Sequence, residues 1–214
     1  MPTATKHSVT ALLAGLACTL AGCLAGKSAP PVSCYLDAQA LSGYVQKVAL
    51  LPLASETAYP AVAEGMTTAM FQALQGKQLF HVALASAAEA GGLDFQRPFS
   101  LKDLARLRQT TGADAILVGT VRSFQPYPRM HLGLYMRLLD LRDSRVIWAV
   151  DHLWDATDKD TQERMEEYFR EQCGEHWEPL RWRLATVGPS VMEQFVAYEA
   201  VGTLPTPDSR GARR

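Results

Sequence analysis

The sequence predicts an α/β fold: a two- or three-layer sandwich around a mixed sheet of about five strands, with helices added at the carboxyl end. Two short runs, Lys47 to Leu53 (KVALLPL) and Ala115 to Phe124, are apolar at consecutive core positions, as in strands buried on both faces. The segments between them carry apolar residues at helical spacing. Residues 131–141 alternate instead, as in a strand with one face in water. The chain order is β-α-β-α-β-β-β followed by helices, so helices cover the parallel strands and the last hairpin extends one edge.

Each element has its own cue. After the first strand, Ser55 and Thr57 make a turn, and Pro60 suits the first turn of a helix. Val62, Met66, Ala69, Met70, Ala73 and Leu74 form that helix's buried stripe, and Gly76 supplies a left-handed stop. Leu79 to Leu84 reads as a second strand, and Ser86 caps a short helical turn. Ser100 and Asp103 make a capping-box start. Leu101, Leu104, Ala105 and Leu107 then face inward, and Gly112 ends the helix. Gln125 to Arg129, with two prolines, is a loop. Leu132, Leu134, Met136 and Leu138 share one face of the next strand; His131, Tyr135 and Arg137 share the other. Arg142-Asp143-Ser144 turns the chain into Arg145 to Trp154, where Val146, Trp148 and Val150 are expected on one face. Thr157 to Gln172 is a charged amphipathic helix with Met165, Tyr168, Phe169 and Cys173 inward, stopped at Gly174. Pro189 to Ala200 is a final helix with Val191, Phe195 and Val196 on one face.

The chain has 214 residues, 48% hydrophobic and 20% charged, so one ordinary domain with tails is expected and a disordered chain is not. The net charge is −1, with no long Lys or Arg run, which argues against a nucleic-acid partner.

The amino terminus is an address to be read before the fold. Val9 to Leu20 is apolar and uncharged, about a dozen residues against the roughly 20 a spanning helix needs. It fits the h-region of a secretory signal. Leu20-Ala21-Gly22-Cys23 resembles the lipobox of bacterial lipoproteins. That resemblance implies cleavage before Cys23 and a covalent lipid on it. Leu24 after the cysteine implies the outer membrane. The expected division is a signal peptide at 1–22, lipidated Cys23 and tether at 23–46, an α/β domain at 47–202 with a helical insertion at 157–182, and a disordered tail at 203–214. A tether of that length has a span of about 25 Å. An exported chain meets oxidising conditions, so Cys34 and Cys173 are a candidate disulfide, with two separate thiols as the alternative.

The strands also carry a resemblance. VALLPLAS before a helix, the run Gly112-Ala113-Asp114-Ala115-Ile116-Leu117-Val118-Gly119, and a hairpin ending in Val146-Ile147-Trp148 form one pattern. It looks like the periplasmic α/β domain of three groups: the curli-secretion-channel lipoproteins, the lipoprotein activators of penicillin-binding proteins, and the amino-terminal domain of the Tol translocation protein. The resemblance covers about residues 45–155. It implies a periplasmic module with protein partners. The curli channels add membrane hairpins, but no spare pair of alternating segments of about 9–11 residues remains here.

Chemistry is sparse. No Gly-x-Ser-x-Gly turn, Ser-x-x-Lys helix or phosphate-binding glycine loop occurs. Glu163, Glu166 and Glu167 lie among Arg164 and Arg170 and read as a solvated helix face. His81 reads as packed or at a sheet edge. Asp151, His152 and Asp155, with Cys173 and His176 at Cys-x-x-His spacing, form the weak case for zinc and a metal-dependent hydrolase. Trp154, Trp177 and Trp182 form a candidate interface, as do Phe124 and Tyr127 in the proline loop. The competing reading is that these rings glue helices to the sheet. The expectation is a non-enzymatic envelope lipoprotein without cofactor, anchored on the periplasmic face of the outer membrane. It would act as a binding or assembly module toward an envelope protein or its own copies. The alternatives are a subunit or activator of a secretion or cell-wall-synthesis complex, and the hydrolase.

Overall fold

The mixed sheet and its covering helices are seen in a computed structural model, which describes residues 32–90, 99–173 and 188–206. The elements are β1 (Cys34–Leu36), α1 (Ala38–Gly43), β2 (Lys47–Leu50), β3 (Ala54–Ser55), α2 (Ala61–Lys77), β4 (His81–Leu84), α3 (Ala87–Ala90), α4 (Leu101–Thr111), β5 (Ala115–Gln125), β6 (His131–Asp140), β7 (Val146–Asp155), α5 (Lys159–Cys173) and α6 (Pro189–Gly202). The sheet order is β1-β7-β6-β5-β2-β4, with short β3 also on β5. β4, β2 and β5 run parallel, while β5, β6, β7 and β1 are antiparallel. The five expected strands are all present, and β1 and β3 are additions.

The apolar periodicities decide the layers. α2 and α6 cover one face, packing Met66, Met70, Met192, Phe195 and Val196 against Leu117, Leu134, Met136 and Trp148. α4 covers part of the other face, where Leu104 and Leu107 meet Leu51, Ile116, Val118 and Leu139. The parallel half is therefore three layers deep. α4 begins with the expected capping box, Ser100 Oγ accepting from Asp103 N. It ends at left-handed Gly112.

Several features differ from the sequence reading. The folded unit takes in residues 32–46 ahead of Lys47: Val32 is buried and β1 pairs with β7. Burying Val32 and Leu41 contributes about 1.5–3 kcal/mol each. The exposed Arg145–Asp37 pair at 3.7 Å contributes less than about 1 kcal/mol, so apolar packing holds this segment. α2 runs through Gly76 to Lys77, and the left-handed residue is Gln78. Leu204, expected in the tail, is buried, and Thr203 Oγ1 accepts from Trp148 Nε1 at 2.8 Å. The register shifts by one residue between Leu138 and Leu139, which moves Val146 to the α4 face while Trp148 and Val150 stay on the α2–α6 face.

A polar lock joins α1 to the β6–β7 turn. Asp140 is fully buried and accepts from the Tyr44 hydroxyl, from Arg142 N at 2.8 Å and from Arg142 Nη2 at 3.0 Å. The Arg142 guanidinium stacks on the Tyr44 ring at 3.3 Å. Burial raises the Asp140 pKa, but the bonds from Arg142 and Tyr44 outweigh it and hold the carboxyl below its ordinary value.

Candidate interaction surfaces

Beyond Leu139 and Val146, which α4 covers, the face of β6 and β7 opposite α2 and α6 has no helix packed on it among the described residues. Strand alternation places the same set of residues on it in rows. Thr120, Tyr135 and Asp151 are register partners, as are Val118, Arg137, Ala149 and Tyr35 in the next row and Gly133 and Leu153 in the row beyond. Arg122 reaches across to Asp151 at 2.7 Å. Its guanidinium lies 4.1 Å from the centre of the Tyr135 ring, and that of Arg137 lies 5.3 Å away. Tyr35 is 54% and Leu153 56% exposed. The Arg122–Asp151 pair is solvated and worth at most about 1 kcal/mol to the fold. Tyr and Arg are enriched at protein interfaces, so the Arg–Tyr–Arg stack makes this face a candidate docking surface. The alternation showed Tyr135 and Arg137 on the wet side; Arg122 was missed because nothing in a lone arginine of a strand tells which way it reaches.

Trp154 does not belong to any surface. It is 0% exposed, and its Nε1 donates to Glu199 Oε2 at 2.7 Å. Arg164 Nε reaches the other oxygen of Glu199 at 2.7 Å. These bonds, with buried Met165 and Tyr168 against Phe195, seat α5 on β7 and α6. Here the ring does act as glue between helix and sheet. His152 stacks edge-on against Trp154 at 4.6 Å, and burial lowers its pKa. Asp151 points to the opposite face of the sheet, so the two do not converge on one ion. Among the described residues no group of three or more His, Cys, Asp or Glu is placed to hold a metal.

In the proline loop Tyr127 is 83% exposed, while Phe124 is half-buried in an edge-on contact with Tyr59 at 5.7 Å. His81 is exposed at the sheet edge on β4. Cys34 is exposed on β1 with a free thiol. Cys173 ends α5, and its side chain is outside the described set. Cys23, His176, Trp177 and Trp182 lie outside the described residues. Among the described residues no helix is long and apolar enough to cross a membrane.

A carboxyl that the sequence reading passed over lies between α2 and α6. Glu193 is only 8% exposed and sits against Gly65. A methyl at Gly65 would come within 2.2 Å of Glu193 Oε2, so glycine is what admits the carboxyl. No cation or hydrogen-bond donor among the described residues serves it, and burial pushes its pKa up to about 7. The folded value lies above the unfolded one. The folded state therefore holds a proton that the unfolded state gives up, and stability falls as pH rises from about 4.5 to about 7. Relative to Glu193→Gln, the wild-type protein is expected to lose about 1–3 kcal/mol between pH 5 and pH 8 in urea unfolding. Parallel pH profiles for the two proteins would contradict the burial.

Together these features define an α/β domain with a candidate docking surface on the sheet face opposite α2 and α6. No protein-family model matches the chain, and no curated protein matches it. Solved structures do. PelC from Paraburkholderia phytofirmans, solved as a dodecamer, is 18% identical over 58% of this chain and 79% of that one, with a TM-score of 0.45. Lipoprotein GNA1162 from Neisseria meningitidis is 17% identical over 59% of this chain and 96% of that one, with a TM-score of 0.42. The LpoB carboxy-terminal domain from Escherichia coli is 16% identical over 51% of this chain and 82% of that one, with a TM-score of 0.37. These are likenesses of fold layout alone.

Proposed function

We propose that this protein is a lipid-anchored, non-catalytic docking module of the bacterial envelope, held by Cys23 to the periplasmic face of the outer membrane. The observation that supports the reading is the sheet face where Arg122, Tyr135, Arg137 and Leu153 stand together, with no helix packed over them among the described residues. The partner class is an envelope protein. The anchor supplies the mechanism: confinement near a surface raises effective concentration without any new contact. Because Val32 is part of the folded core, the chain between it and Cys23 can span at most about 30 Å. That reach favours a partner close to the same membrane. Activation of a cell-wall synthase, or a place in a secretion complex, is the finer form of this reading.

The test is the double variant Arg122→Glu, Leu153→Glu in the anchored protein. Both side chains are exposed, so melting and membrane recovery are expected to stay as in wild type. Cross-linked partner recovery is expected to fall at least about tenfold. Unchanged recovery would remove the open face as the docking surface.

A further inference from the structure

We propose that the groove between the amino-terminal halves of α2 and α6 is a docking slot for a lysine or arginine side chain of a partner protein, with Glu193 as its charge partner. This rests on the docking-module reading but uses the opposite side of the sheet. The open groove has a volume of about 370 Å³, and Glu64, Gly65, Thr68, Ser190, Glu193 and Gln194 are among its lining residues. Its two ionisable groups are both acids. The hydroxyls of Thr68 and Ser190 and the amide of Gln194 add acceptors around them.

Glu193 has what an acidic patch by itself lacks. It is 8% exposed, lies against Gly65 and lines the groove, and no hydrogen bond or ion pair serves its carboxyl among the described residues. A buried charge without a partner is costly, and a cation delivered beside it removes that cost. A divalent ion fits poorly, since it takes six or more oxygen ligands or several ordered waters, and no three-residue ligand group is present among the described residues. A protein segment fits the shape. The groove continues into a second one of about 570 Å³ lined by Ala73, Gly76, Lys77 and Tyr198, and the two share Ala69, Gln72 and Gln194. From Ala61 to Lys77 the track is about 24 Å long at 1.5 Å per residue, more than a lone amine occupies. The acid end and the Lys77 end also give the track a polarity that a segment with its own fixed charges would read in one direction.

The experiment places a benzophenone amino acid at Gln72, exposed where the two grooves meet, in the full-length anchored protein in cells. After irradiation the adduct is mapped by mass spectrometry. The expected result is one partner peptide with a Lys or Arg within about five residues of the cross-link, its yield falling at least about tenfold in Glu193→Gln. Glu193→Gln removes the charge and keeps the shape, so abundance and melting verify that the fold is intact. Gly65→Ala, which displaces the carboxylate, is expected to lose the adduct as well. An adduct that survives Glu193→Gln at full yield overturns the proposal, as does a partner peptide without a basic residue. An adduct only to a second copy of this chain overturns it in favour of self-association. No adduct at all overturns it while leaving the open-face variants to decide the broader reading.

Discussion

Trp154→Ala is expected to cost the fold about 4 kcal/mol, the largest single loss among the residues considered. The indole is wholly buried in the core, so alanine leaves a cavity that the sheet cannot close. It also strips a donor from Glu199, whose side chain is only 8% exposed and keeps Arg164 as its other partner. α5 loses its seat on β7, so proteolysis at α5 is expected to rise before global unfolding does. Trp154→Phe keeps most of the volume and loses the Nε1 bond, for an expected cost of about 1–2 kcal/mol. Urea unfolding of both variants checks the ordering. Equal, small costs would mean that Trp154 is not the strut described here. Any binding defect of Trp154→Ala would then need to be measured on folded protein before it was read as an interface effect.

Asp140→Ala is expected to cost about 3 kcal/mol, because it leaves the Tyr44 hydroxyl and the Arg142 amide without their acceptor. The pH dependence has a definite sign. The folded carboxyl titrates below its ordinary value, so its contribution is complete above the unfolded pKa of about 4. It is lost as pH falls through the folded value. The gap between wild type and Asp140→Asn is therefore expected to narrow on acidification below pH 4 and to stay constant from pH 5 upward. A gap that widens in acid would contradict the lock between α1 and the β6–β7 turn.

Periodicity made most of the fold legible. Leu132, Leu134, Met136 and Leu138 face the core as their alternation required, and the Ser100–Asp103 start of α4 formed as its residues dictate. What escaped are features decided by tertiary context. β1 has three residues, too few for any period, and exists because β7 offers an edge. Val146 changed faces because a one-residue bulge is invisible in the strand's own alternation. Gly76 was a reasonable stop, yet α2 runs one residue past it to Lys77, and Gln78 takes the left-handed turn. The sites were less legible than the fold. Trp154 looked like an anchor by residue type, but burial is a property of its neighbours. Glu193 carried a signal that went unused: a lone acid among Met192, Phe195 and Val196 on an apolar arc demands either a partner or a raised pKa.

The central claim is that docking depends on anchoring. Its most direct test is in-cell cross-linking and pull-down of the full-length protein beside Cys23→Ala, with the two forms matched for abundance and read by mass spectrometry. The account predicts an envelope protein recovered with the wild type and reduced at least about tenfold in Cys23→Ala, as loss of surface confinement requires. The same partner at the same yield from Cys23→Ala would contradict it.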